Sequence, residues 1–359
     1  MNRVAAALAT VALLAAGCAG ITDDSAPGPS APEVPDGAAS WHRIVPDSPD
    51  CMCGDGSAYS FFERPGDPSK VLLFFEGGGA CYSAETCDSN GDPTYSVGIR
   101  KGVDELAAGA GLFDAANDAN PLADHSIIYV PYCTGDGHLG NIRTEYSPGV
   151  VVEHRGWANT DAVLDHLVEV YPAVAQVVVA GESAGSVATP LVAGVMSDRL
   201  PAAEIVTFGD GSGAYPDLPV INESIVTLWG ADAAIPDWPE AEGQTGWSVP
   251  GLTVRAGLRD PDITFARFDF AFDGIQADLV GPLGLVPDQI PGLLDATELQ
   301  IETSGIPLAV YVAPGNSHTI IGNDDVYDVE VEGVRLIDWI TELVDGDVPP
   351  DVHCVDCEL

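Results

Sequence analysis

Gly181-Glu182-Ser183-Ala184-Gly185 stands between the β-branched run Gln176-Val177-Val178-Val179-Ala180 and the small residues Ser186-Val187-Ala188. A serine between two glycines, entered from a strand and left by a helix, allows a sharp, strained turn that lifts the Ser183 hydroxyl above a sheet edge. The same turn aims the Ala184 amide at an oxyanion and sets a helix N-terminus beneath it. A serine hydroxyl alone is a poor nucleophile; it needs a base, and the base needs an orienting acid. One order such triads take is Ser, then acid, then His. Of the 7 histidines only His318 and His353 follow Ser183. His353 lies between Pro350 and Cys354 against the C-terminus, whereas His318 follows a predicted strand among small residues. His318 is therefore the expected base; His42, His125, His138, His154 and His166 would need another order. For the acid, spacing leaves Asp210, Asp269 and Asp273 open.

The elements that must position these groups alternate. Apolar runs at 71–75, 126–130, 176–180, 204–208 and 307–313 read as buried strands. A helix capped by Asn159 or Thr160 should run to about 171, with Val163, Leu164, Leu167, Val168 and Tyr171 on one face. A second amphipathic helix is expected over 334–344. Strand, helix, strand, elbow, helix is the pattern of a mostly parallel sheet with helices on both faces, an α/β-hydrolase-like arrangement. The strand at 71–75 runs into Glu76-Gly77-Gly78-Gly79-Ala80-Cys81. Its glycines let backbone amides turn inward, where a second oxyanion donor would come from; a plain glycine-rich turn is the competing reading. Residues 215–262 are rich in Pro, Trp and Asp without clear periodicity, which suggests an insert over the site.

Composition narrows the partners. The 359 residues carry 13 Lys+Arg against 55 Asp+Glu, a net charge of −42, so nucleic acid is not an expected partner. The acidity suits a salty medium or is simply a solvated surface. Residues 1–17 read as an export leader, one arginine followed by an apolar run too short for a confident span. Leu14-Ala15-Ala16-Gly17-Cys18 resembles a lipobox with its Leu one place early, so Cys18 is the expected lipid anchor and ordinary signal cleavage the alternative. The anchor would be the sole contact with a membrane. Residues 18–40 form a Pro/Ala/Gly/Ser/Asp tether, and 41–359 a single catalytic domain.

Several blocks together resemble the pectin acetylesterase family, which also contains the Notum-type carboxylesterases. These are Phe75-Glu76-Gly77-Gly78-Gly79-Ala80-Cys81 with Cys87, Pro131-Tyr132-Cys133, Gly181-Glu182-Ser183-Ala184-Gly185, Phe272-Asp273-Gly274-Ile275-Gln276, and Ser317-His318. The resemblance implies Ser183 as nucleophile, Asp273 as acid and His318 as base, with oxyanion amides from Gly78, Gly79 and Ala184. It implies no cofactor and no metal. The activity it implies is an exported serine carboxylesterase that removes acyl groups, acetyl first among them, from glycans or small esters. Glu182 stands where many members have a small residue, Ser186 where they have Gly, and Gly79 where Notum-type members have an aromatic. Acyl-pocket preference therefore does not transfer.

Of the 8 cysteines, seven lie beyond Cys18, an odd set in an exported chain where disulfides are expected. Cys81–Cys87 is the best pair. Cys51 and Cys53 with Cys354 and Cys357 could tie the two ends together, which leaves Cys133 over; a four-cysteine zinc site is the rival. Two other functions compete with the esterase: a glycan-binding surface lipoprotein without catalysis, and a serine lipase or peptidase.

Overall fold

The computed structural model describes residues 40–243, 248–281, 286–355 and 357. The expected leader, Cys18 and the tether up to residue 39 lie outside the described residues.

Among the described residues nine strands make one sheet: β1 (His42–Ile44), β2 (Phe61–Arg64), β3 (Asp67–Phe75), β4 (His125–Val130), β7 (Gln176–Glu182), β8 (Glu204–Asp210), β9 (Ala266–Phe270), β10 (Ala309–Ala313) and β13 (Val352–His353). Their order is β1-β2-β4-β3-β7-β8-β9-β10-β13. From β4 to β13 all neighbours are parallel; β1 and β2 add antiparallel pairs at one edge. Two small hairpins lie apart, β5 (Ile142–Ser147) with β6 (Val150–His154) and β11 (Glu330–Val331) with β12 (Val334–Arg335).

The central strands are apolar without alternation because both faces are covered. Val177 and Val179 enter the core beneath α3 (Gly156–Val170) and α4 (Ala184–Arg199), while Val178 and Ala180 enter the core on the other face. That second core is closed by the last helix, whose Trp339 packs on Phe208 and Tyr311 and whose Leu336, Ile337, Ile340 and Leu343 are buried in the same cluster. Burying each such side chain stabilises by roughly 1.5–3 kcal/mol before ordering costs. The remaining helices are α1 (Ala84–Cys87), α2 (Val103–Ala107), α5 (Pro219–Trp229), α6 (Val249–Arg259), α7 (Gly274–Val280), α8 (Ile290–Thr303) and α9 (Leu336–Val344).

Three expectations are corrected. Helix α3 begins at Gly156, so Asn159 and Thr160 lie inside it; their side chains donate instead to the Met52 and His138 carbonyls. The last helix begins at Leu336, because Val334 and Arg335 pair with β11. Among its described residues the 215–262 stretch, expected as an insert, holds helices: α6 packs on α4 and extends the helical layer, while Thr144 of β5 donates to the Leu228 carbonyl of α5. The cysteines also pair differently. Cys81–Cys87 forms, but Cys53 pairs with Cys133 across 80 residues, Cys354 pairs with its neighbour Cys357, and Cys51 stays free. Among the described residues no bridge ties the two ends, and the pairing consumes three of the four thiols a four-cysteine zinc site would use.

Candidate active site

The parallel strands all end at one edge of the sheet, where every candidate residue collects. Ser183 follows β7 with φ 52 and ψ −121, a conformation a non-glycine residue adopts only at a cost of about 1–3 kcal/mol. The flanking glycines are sterically required. A Cβ on Gly181 would lie 2.6 Å from the Gly185 backbone, and one on Gly185 would lie 2.1 Å from the Phe75 carbonyl oxygen. The turn is thus wedged between its own helix and the neighbouring strand, and Ser183 is 7% exposed.

His318 follows β10 on a half-buried loop. Its Nδ1 donates to Asp273 Oδ2 at 2.7 Å. Asp273 is the N-cap of α7, with Oδ1 accepting the Ile275 and Gln276 amides at 2.9 and 3.0 Å. Gln276 Nε2 donates both to Asp273 Oδ2, at 3.0 Å, and to Asp269 Oδ1, at 2.9 Å; its Oε1 accepts the Ala214 amide. Asp269, Asp273 and Gln276 are fully buried. Burial raises the Asp269 carboxyl above the usual range, and Arg267, whose Nε lies 3.3 Å away, opposes that rise. With Nδ1 committed as donor, Nε2 is the basic nitrogen. It is enclosed and carries no hydrogen bond, so Ser183 and His318 are not bonded to each other directly. Such a base–nucleophile bond is often long or unmade without substrate and tightens when substrate binds.

Of the three acids left open by spacing, Asp273 meets His318. Asp269 turns away to Arg267, Gly213 and Gln276. Asp210 accepts the Ile320 and Ile321 amides instead. Burial holds its carboxyl well above the usual carboxylate range, and those two amides oppose the rise.

On the other side of Ser183 runs the glycine loop after β3. A Cβ on Gly77 would lie 2.8 Å from Ser183 Cβ, so the loop passes directly beside the elbow. Among the described residues no protein acceptor takes the amides of Gly78, Gly79 or Ala184. The loop is pinned from outside. His138 Nε2 donates to the Glu76 carbonyl at 2.8 Å, Arg100 donates to the Gly77 carbonyl at 2.8 Å, and Ser96 N–H donates to the Gly78 carbonyl. The Glu76 carboxylate is buried and accepts the Tyr132 amide, with Arg100 and Lys101 3.6 and 3.9 Å away. Burial raises its pKa against those partners. Burial also lowers His138 to about 4, so it is a neutral strut. Glu182 is half-buried beside this loop, its Cγ 3.2 Å from the same Gly77 Cβ position. The Cys81–Cys87 bridge closes the end of the loop.

His138, Arg100 and Gln276 were not singled out from the sequence as individual site residues. Gln276 alone left a signal, as the last residue of the Asp-x-x-Gln block. A cavity of about 40 Å³ lies on the α4 face of the sheet, lined by Ser186, Ser212, Tyr215, Pro250 and Arg267; Ser183 and His318 do not line it. Among the described residues Asp295, Glu298 and His353 have ligand spacing, as do Glu298, Glu302 and Asp351, and His353 already pairs with Glu298 at 3.4 Å. Ser183, Asp273 and His318 belong to neither group. Asp324 and Asp325, a conceivable Ca²⁺ pair in sequence, instead begin a short 3-10 turn in which Asp324 accepts the Gly111 amide.

Comparison with known proteins bears on the fold and the family. Over 151 residues, 40% of this chain, the sequence is 28% identical to a palmitoleoyl-protein carboxylesterase NOTUM of Schmidtea mediterranea. It is 32% identical over 92 residues, 25% of this chain, to the palmitoleoyl-protein carboxylesterase notum2 of Xenopus laevis. The matches cover 28% and 19% of those two proteins, so the chain spans only about a quarter of the length of the curated relatives it matches. The fold is similar to that of the Wnt deacylase Notum from Drosophila, with a TM-score of 0.63 over 88% of this chain and 97% of that one, at 16% identity. The family model described as pectinacetylesterase matches residues 41–229, just over half of the sequence and inclusive of the glycine loop and the Ser183 elbow. The chain belongs to the pectinacetylesterase family.

Proposed function

We propose that the protein is an exported serine carboxylesterase that removes acyl groups, acetyl first among them, from neutral glycans or small esters. The observation that carries this reading is the His318–Asp273 pair. Its 2.7 Å bond leaves Nε2 free as a base on the sheet edge where Ser183 occupies a strained turn.

In the proposed cycle Ser183 Oγ attacks the ester carbonyl carbon while His318 Nε2 takes the hydroxyl proton. Asp273 holds Nδ1–H and stabilises the imidazolium. The carbonyl oxygen becomes an oxyanion facing the amides of Gly78, Gly79 and Ala184, groups with no protein acceptor to give up. The tetrahedral intermediate collapses; the C–O bond to the alcohol breaks and the alcohol leaves with the proton from Nε2. Water, deprotonated by the same nitrogen, then cleaves the acyl-enzyme and frees the carboxylic acid and Ser183. The chemistry draws on no cofactor or metal.

Export is supported by the leader sequence and by disulfides of the kind oxidising compartments sustain. Anchoring through a lipid on Cys18, followed by the 18–40 tether, would hold one catalytic domain, 41–359, at a cell surface. A net charge of −42 opposes polyanionic substrates at low salt, which favours neutral acetylated glycans or small acyl esters over polygalacturonate.

One experiment tests the reading. The purified protein is expected to be labelled by a fluorophosphonate and to hydrolyse 4-nitrophenyl acetate, acetylated xylan and, more slowly at low salt, acetylated pectin; Ser183→Ala should abolish labelling and turnover. Wild-type protein that neither labels nor hydrolyses any of these esters would instead support a glycan-binding role. A preference for long-chain esters or amides would indicate a lipase or peptidase.

A further inference from the structure

Asp210 stands at the end of β8, next to the elbow, with its carboxylate unused by the dyad. Its backbone carbonyl accepts the Ser183 amide at 2.7 Å. Its Oδ2 accepts two consecutive amides, Ile320 at 2.7 Å and Ile321 at 2.9 Å. One residue therefore grips both the turn that carries Ser183 and the loop that carries His318. Beyond His318 the chain passes through Thr319 at φ 65, a left-handed residue, and this turns successive N–H groups toward one point. Such a concavity suits a hydrogen-bond acceptor, and here the acceptor is the internal Asp210 Oδ2. Ile320 and Ile321 are at most 2% exposed, so without Asp210 their amides would be buried donors without an acceptor. Gly211 completes the seat. At φ +75 its missing Cβ would lie 3.2 Å from His318 Cε1 and 3.1 Å from Thr319 Cγ2, so the imidazole rests against bare backbone.

We propose that the Asp210–Gly211 turn is the positioning device for His318: Asp210 fastens the 319–321 loop to the elbow, and Gly211 supports the ring, so that Nε2 is held toward Ser183. This rests on the reading of His318 as the base. The bond to Asp273 fixes the ring from one side only, and a rotation about that bond would carry Nε2 away from the serine. The clamp on the loop removes that freedom. Misplacing a reacting group by about 1 Å can cost around 10² in rate.

The test compares Asp210→Ala, Asp210→Asn and Gly211→Ala, with His318→Ala as reference. One readout is kcat and KM for 4-nitrophenyl acetate; the other is the downfield NMR proton of the His318 Nδ1–H bonded to Asp273. Asp210→Ala is expected to lower kcat about 10²-fold with KM nearly unchanged, and to shift or broaden that proton. Asp210→Asn keeps an oxygen for both amides and should recover most of the loss and the proton's position. Wild-type kcat and an unshifted proton in Asp210→Ala would overturn the proposal. If Asp210→Ala does not fold, Gly211→Ala decides, since its added methyl meets the ring; wild-type kcat and NMR signal there overturn it equally. If His318→Ala retains full esterase activity, the base assignment is what fails, and the NMR proton alone then decides whether Asp210 holds the imidazole.

Discussion

The two sides of Ser183 are built by different means. On the imidazole side the work is done by side chains: Arg267, Asp269, Gln276, Asp273 and His318 form a buried chain of hydrogen bonds and ion pairs, and Asp210 ties its loop down. On the glycine-loop side the work is done by backbone. Gly77, Gly78 and Gly79 admit no Cβ without a contact of 2.8 Å or less, and the loop's carbonyls are held by His138, Arg100 and Ser96. The difference follows from what each side must do. A group that gains and loses a proton needs a polar surround that tolerates both states. Fixed amide dipoles need only to stay where they are, and close-packed backbone achieves that with no group to reorganise.

The sharpest way to break this contrast is on the imidazole side. Asp273→Asn keeps the size and can still receive the α7 amides, but it can donate to Nδ1 and so stabilise the wrong tautomer. We expect kcat to fall by about 10⁴ with the fold intact, by analogy with the effect of removing such a carboxylate. Steady-state kinetics beside a thermal melt checks it. A loss below tenfold would mean that the acid is not Asp273.

Gly77→Ala probes the other side. Its Cβ would meet Ser183 Cβ at 2.8 Å and the Glu182 carbonyl oxygen at 2.7 Å, so loop and elbow must separate. A displaced oxyanion donor costs on the order of 10²–10³ in kcat. The fluorophosphonate labelling rate should fall with kcat, while the His318 Nδ1 proton signal stays put because the imidazole side is undisturbed. Movement of both signals together would show that the two sides are not independent.

Much of this contrast was legible in the sequence, and its gaps have physical causes. The elbow could be read because sterics leave few choices at Gly181 and Gly185, and His318 because chain order left one competitor. The acid could not be separated on spacing, since Asp210, Asp269 and Asp273 all cluster around strand ends at one edge; their partners differ only through which face each meets and through the α7 cap. That cap was a readable sign, an Asp immediately before Gly-Ile-Gln. Helix α3 was misplaced because Asn159 and Thr160, good caps locally, are drawn into tertiary hydrogen bonds. Helices α5 and α6 were not read because the stretch shows no clear periodicity; its Pro219 and Pro250 both stand in a first helical turn, where proline is at home. The Cys53–Cys133 bridge depends on a contact across 80 residues, reinforced by the Gly54 amide on the Cys133 carbonyl, and no local pattern announces it.

The smallest expected effect separates the two sides by acid. Burial lowers His138 to about 4 in the folded protein, against about 6.5 when unfolded. Between those values the unfolded chain binds a proton that the folded one does not. The strut's contribution is thus complete above pH 6.5 and is lost as pH falls toward 4, by about 2 kcal/mol at pH 5. The buried carboxyls act in the opposite sense: Asp210, Asp269 and Glu76 have raised values, so they favour the folded state as pH falls. A melt of the wild type mixes the two trends. In the difference between wild type and His138→Gln, which can keep a donor for the Glu76 carbonyl, the carboxyl contributions cancel. Whatever the offset at pH 7, that difference should move in favour of the variant by about 2 kcal/mol between pH 7 and 5. A pH-independent difference would mean that His138 is not held neutral by burial, and that the strut does not set the glycine-loop side apart by acid.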